Sequence, residues 1–184
     1  MNALIFDTTR ESLTIILVKE DIGYPFVGKE GMKRHTSSIL AGTEKLLADH
    51  KLAPKDIDAL GVVTGPGSFT GIRIGVATVN AFSFATGAKV VEMTALEPSA
   101  HIRDSALVLI DCNHNNFYAL KKDANTFEYL ALSGEETEEI DLPKVYANEA
   151  NVDELVRFFL YKVKNGLFSK RATPFYIKKS SAEL

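Results

Sequence analysis

Thr64-Gly-Pro-Gly-Ser-Phe-Thr-Gly-Ile-Arg-Ile-Gly75 is the stretch on which the reading of the fold turns. Ile57–Val63, just upstream and behind the helix-stopping Pro54, is an apolar run that reads as a strand. Downstream, apolar residues recur at helical spacing to about Thr86, and Gly87 follows as a C-cap. The stretch is therefore a strand-to-helix junction. Gly65 and Gly67 bracket Pro66, so glycine permits positive φ and close backbone approach while proline stiffens the turn. Ser68 or Thr70 is placed to cap the helix, whose free N–H groups form a potential anion site. The plainer reading of the same glycines is a tight loop shaped only for packing.

Working outward, Leu4-Ile5-Phe6 is a short buried strand, and Asp7-Thr8-Thr9 turns the chain into a second strand, Ser12–Val18. Gly23 and Pro25 mark a turn before a weaker third strand near Phe26–Lys29. From Thr36 the spacing is helical, with Ile39, Leu40, Thr43, Leu46, Leu47 and His50 on one face. Lys89–Met93 is a strand after the second helix. The order β-β-β-α-β-α-β predicts a mixed sheet, antiparallel first and parallel after the crossovers.

A second unit opens around Thr94–Asp104. Ala106–Asp111 and Phe117–Lys121 flank the hairpin signal Cys112-Asn-His-Asn-Asn116, and Thr126–Leu132 makes a third strand, so the opening meander is repeated. Glu135–Asp141 carries five acidic residues and reads as a solvated loop. Asn151 and Glu154 resemble a capping box for a helix Val152–Lys164 that Gly166 closes, and Pro174–Lys178 reads as a last strand.

Composition bounds the function. The 184 residues are 46% hydrophobic and carry a net charge of −3, without the basic excess of a free-standing nucleic-acid binder. Cys112 is the single cysteine, so an intrachain disulfide is excluded. The start reaches Asp7 without a basic n-region, and Ile72–Ala85 is too short to span a bilayer and contains Arg73 and Asn80. The expectation is a cytoplasmic protein with no membrane contact.

The spelling Gly-Pro-Gly-Ser-Phe-Thr-Gly-Ile-Arg-Ile-Gly closely resembles the signature of the TsaB (YeaZ) family, which serves in threonylcarbamoyladenosine synthesis on tRNA. Ile5-Phe6-Asp7-Thr8-Thr9, Arg34-His35-Thr36, Leu109-Ile110-Asp111 with Tyr118, and Pro174-Phe175-Tyr176-Ile177 match in the same order. The resemblance is strong over residues 1–100 and patchy over 101–184. It implies an α/β, two-lobed fold of the actin-like ATPase (ASKHA, ribonuclease H-like) type with mixed sheets. The first lobe would be residues 1–97 and a reduced second lobe residues 98–184. It further implies a non-catalytic scaffold that binds and activates the catalytic paralogue TsaD, with a TsaE-like ATPase joining transiently and tRNA reached through the complex. The resemblance leaves a homodimer open as an alternative pairing, since the family joins TsaD, or itself, through its first two helices.

TsaD-type catalysis needs a pair of metal histidines on one helical face and glycine-rich phosphate loops in the second lobe. His35, His50, His101 and His114 include no i,i+4 pair, and Cys112–Asn116 stands where a glycine turn would be. In actin-like ATPases an aspartate at the position of Asp7 helps hold metal-bound phosphate, with hydroxyls such as Thr8 and Thr9 as donors. The candidate phosphate loop is thus Asp7, Thr8, Thr9, Gly65, Pro66, Gly67, Ser68, Thr70 and Gly71. The plain alternative is a strand-ending turn in which Asp7 accepts local N–H groups. His35 has two readings as well, functional or packed under the loop, and Cys112 reads as an inert strand end. No cofactor is expected on the isolated chain. ATP or ADP and a divalent metal are expected only in the assembled complex, and the rival reading is a self-sufficient actin-like kinase or ATPase. A metallopeptidase would need the metal histidines.

The second helix is apolar on two sides. Ile72, Val76, Val79 and Phe82 line one face and Ile74, Ala77, Ala81 and Ala85 the other, so burial on both sides is expected. The first helix likewise carries Ser38, Ala41, Lys45 and Ala48 opposite its apolar face. The resemblance makes these eight residues the candidate partner interface.

Overall fold

Leu4, Ile5 and Phe6 are all fully buried, so the strand that carries them must be covered on both faces, and this fixes the centre of the molecule. The computed structural model describes residues 1–28, 35–124 and 126–177, with only the backbone of 35–37. In it β1 (Asn2–Asp7) lies between antiparallel β2 (Leu13–Lys19) and parallel β4 (Ala59–Val63). β3 (Ile22–Gly28) and β5 (Lys89–Met93) complete a five-stranded sheet of order β3-β2-β1-β4-β5. β6 (Ala106–Asp111), β7 (Asn116–Asp123), β8 (Thr126–Ser133) and β9 (Lys144–Tyr146) form a second sheet of order β8-β7-β6-β9, with β6 and β9 parallel. Each sheet is a three-stranded meander extended by parallel pairing, so this mixed α/β chain has the expected fold class.

Alternation along the strands sends side chains to two separate cores. Leu4, Phe6, Ile15, Leu17, Leu60 and Val62 meet Ile39, Leu46 and Leu47 of α1 (His35–Asp49) and Ile72, Val76 and Val79 of α2 (Phe69–Thr86). Ile5, Ile16, Val18 and Met93 face the other way, into a cluster with Val108 and Leu120 of the second sheet. That cluster also takes in Ala100 of α3 (Glu97–His101) and Leu155, Val156 and Phe159 of α5 (Val152–Lys164). Fully burying one such side chain contributes roughly 1.5–3 kcal/mol, so the shared cluster is the main bond between the two sheets.

Several expectations change. Gly23 and Pro25 lie inside β3; the turn is Glu20–Asp21, both with positive φ. A Cβ on Gly23 would meet Val156 of α5 at 2.7 Å, and Pro25 is tolerated because β3 is an edge strand. Glu135–Asp141 is not wholly loop: α4 (Gly134–Glu139) starts there, because Ser133 accepts from Glu136 N–H and Glu136 returns to the Ser133 N–H. β9 was not expected at all. Leu40 leaves the apolar face of α1 and is 63% exposed.

The chain end is not a strand over Pro174–Ile177, and Lys178 lies outside the described residues, as do Lys29 and Arg34. Instead residues 168–177 return to the first sheet, although chain order puts them with the second lobe. Ser169 bridges Val90 on the β5 edge, Ala172 exchanges two hydrogen bonds with the Asn80 side chain (2.8 and 2.9 Å), and Phe175 N–H donates to Thr64 O at 2.8 Å. Glu92 accepts from Ser169 and Thr173 and holds the segment down.

Candidate functional site

The turn after β1 and the start of α2 are locked together by one side-chain and one backbone donor. Thr8 Oγ1 donates to Gly71 O at 2.7 Å, and Ser68 N–H donates to Thr9 O at 2.7 Å. Gly65 and Gly67 have φ of 123° and 153°. A Cβ on Gly67 or Gly71 would overlap the Thr9 or Thr8 carbonyl oxygen, so these two glycines are required by close approach to the turn after β1. Pro66 is buried, and its bond to Gly65 is cis. Of the two candidate caps it is Ser68 that acts, its Oγ accepting from Gly71 N–H at 3.1 Å, while Thr70 is exposed. A serine at the N-cap removes one of the orphan donors of α2.

Asp7 has a completely buried side chain whose acceptors are in use. Oδ1 accepts from Thr9 N–H (2.9 Å) and Thr9 Oγ1 (2.6 Å), and Oδ2 from Arg10 Nε (3.0 Å). Arg10 also donates from Nη2 to Ala95 O (3.2 Å) and from Nη1 to Ala147 O. The sequence offered the turn but not this partner, because Ala95 and Ala147 lie 85 and 137 residues away.

The turn and the glycine loop form one wall of a cleft of roughly 570 Å³, with Asp111, Asn113, Tyr118 and Asn148 opposite. Asn113, His114 and Asn115 all have positive φ in the β6–β7 hairpin, and Asn113 lines the cleft. Asp111 caps this hairpin by accepting from Asn113 N–H at 2.7 Å. Burial first, then the neighbouring Cys112, pushes the Tyr118 hydroxyl pKa up. Three of the histidines have different surroundings: His50 packs against Tyr24, His101 against Phe158 and Tyr161, and His114 is exposed in the hairpin. The side chain of His35 is outside the described residues. Among the described residues no cluster of three potential metal ligands occurs.

On the far side of α2, Ala77, Ala81 and Ala85 are exposed and Ile74 is half-buried, so the expected burial on both sides is not met among the described residues. Ser38 is half-buried, and Ala41, Lys45 and Ala48 are exposed on α1, with Lys45 paired to Asp49 at 3.0 Å. Phe84 shares the α2 face and is 95% exposed. It stands three residues after Ala81, and helical spacing alone was enough to place it there.

This arrangement defines a class: a two-lobed α/β protein of the actin-like, ribonuclease H-like kind. The family described as TsaD, tRNA N6-adenosine threonylcarbamoyltransferase, matches residues 19–153, well over half of the chain. The chain belongs to that family, on its TsaB/YeaZ side. The Bacillus subtilis tRNA threonylcarbamoyladenosine biosynthesis protein TsaB is 31% identical over 100 residues, 54% of this chain and 44% of that protein. The Haemophilus influenzae TsaB is 27% identical over 124 residues, 64% and 52% of the two chains. The chain thus spans about half the length of the curated relatives it matches. The solved structure of YeaZ from Pseudomonas aeruginosa superposes with a TM-score of 0.75 at 18% identity, over 96% of this chain and 99% of that one, and shares its fold. No helix among the described residues is long and apolar enough to cross a membrane.

Proposed function

We propose that the chain is a non-catalytic scaffold in the synthesis of N6-threonylcarbamoyladenosine on tRNA, binding and activating a TsaD-like catalytic subunit. The observation that carries this reading is the face of Ala77, Ala81, Ala85 and Phe84, which a single chain leaves in water. Small residues on such a stripe let a partner helix approach to the near end of the usual 8–10 Å axis separation, and Phe84 supplies an apolar anchor. Ser38, Ala41, Lys45 and Ala48 of α1 extend the same surface. A homodimer through this face would compete with the catalytic subunit. A TsaE-like ATPase joins the pair transiently, tRNA is held through the complex, and any nucleotide or divalent metal belongs to that complex. The work is cytoplasmic.

The test is reconstitution. A purified TsaD-like subunit and TsaE-like ATPase, supplied with threonylcarbamoyl-adenylate and tRNA, should modify adenosine at least tenfold faster when this chain is added. The chain alone should modify none. Modification that is indifferent to the chain, or turnover by the chain alone that Asp7→Ala abolishes, contradicts the scaffold reading.

A further inference from the structure

The actin-like class implies a nucleotide-bound divalent cation facing the first turn, and the residues here do not fit one. We infer that Arg10 is a built-in cation that fills this position: its guanidinium takes the Asp7 carboxylate and ties the first turn to both the inter-lobe segment and the second lobe. Asp7 has no exposed side-chain surface and Arg10 only 11%, so no metal reaches the carboxylate without displacing the arginine. The three donating nitrogens go to three parts of the chain: Nε to Asp7 at the end of β1, Nη2 to Ala95 just after β5, and Nη1 to Ala147 just after β9. A planar five-donor fork spreads its donors over three nitrogens and reaches all three at once, whereas the donors of a lysine radiate from a single nitrogen. The remaining acceptor of Asp7 is spent on Thr9, and the carboxylate of Asp111 lines the cleft that phosphate would enter. Gly67 and Gly71 are pressed against carbonyl oxygens of the same turn, so the loop that would cradle phosphate is closed on the protein itself. This assignment concerns the chain alone and stands or falls apart from partner binding.

Thermal melts of Arg10→Ala, Asp7→Asn and the double variant test it. Breaking a buried pair by removing one partner is strongly destabilising, so each single variant is expected to melt about 10 °C lower. The double variant leaves neither charge stranded and should recover at least half of the summed loss. Ethylguanidinium chloride at millimolar concentration, which replaces the deleted atoms, should raise the melt of Arg10→Ala and leave the wild type unmoved, with sodium chloride as control. Magnesium with ADP should move neither. Strictly additive losses, no rescue of a folded Arg10→Ala, or a wild-type melt raised by magnesium and ADP and not so in Asp7→Asn, each overturns the inference. If Arg10→Ala does not fold, the double variant decides: a folded double supports the pairing, an unfolded one overturns it.

Discussion

Gly71 has no room for a methyl group, whereas Gly87 has nothing within 4 Å of one, and the contrast separates two uses of glycine. At Gly71 the obstacle is the Thr8 carbonyl, which is backbone and cannot swing aside, so Gly71→Ala should lose about 3 kcal/mol in urea unfolding. Gly87 caps α2 with φ of 78°, and Gly87→Ala should lose only about 1–2 kcal/mol from the left-handed conformation itself. The glycine spacing was legible in the sequence. What Gly71 touches was not, because Thr8 sits in the turn after β1, some sixty residues earlier. Ser68 and Thr70 were equally placed as caps, and only the loop geometry chooses Ser68. His101 shows the same limit. Burial, then the charge of Lys122, lowers its pKa from the usual 6.5. The unfolded chain then binds the proton more readily, so stability is lost as pH falls through about 6.5 and levels off below the folded value. His101→Gln should flatten that part of a melting profile taken between pH 7.5 and 5.5.

Among elements, those with strong local punctuation could be read off with their ends. β5, β6 and α5 run over the expected residues, and α2 ends at Thr86 before Gly87 as foreseen. The Asn151 side chain accepts from Glu154 N–H at 3.1 Å, so Asn151→Ala should lower stability by about 1 kcal/mol, or about 2–4 °C in the melt. The capping box expected there is only half formed, since the Glu154 carboxylate turns to Ser99 and Arg103. β9 escaped notice because three residues paired in parallel with β6 carry no periodicity of their own. α4 escaped because its acidic composition suggested loop, while the stabilising signal was the short-range box of Ser133 and Glu136. Faces were harder than boundaries. Leu40 fits the apolar stripe of α1 by spacing yet stands in water, because the sheet covers only part of the helix circumference.

At the scale of the molecule, the two meanders announced two lobes, but the cluster that joins them did not appear in the sequence. α5 follows the second sheet in the chain and packs partly on the first, where Phe159 and Val156 meet Ile5 and Ile16. The segment 168–177 goes further and closes over β5, Asn80 and the glycine loop. Residues 168–177 thus complete the first lobe, and among the described residues the α1/α2 face stays exposed. That face is the centre of the account, and Ala81→Glu tests it most directly. Ala81 is exposed, so the variant should keep its stability within about 0.5 kcal/mol of the wild type. At a closed helix contact the same carboxylate would be buried without a partner, at a cost of at least several kcal/mol, and each ~1.4 kcal/mol weakens association tenfold. Calorimetric titration of a TsaD-like subunit with wild type and Ala81→Glu, beside the melt of each, is the deciding measurement. Equal melts and an affinity reduced at least a hundredfold are expected. Equal melts with unchanged affinity would contradict the proposed interface.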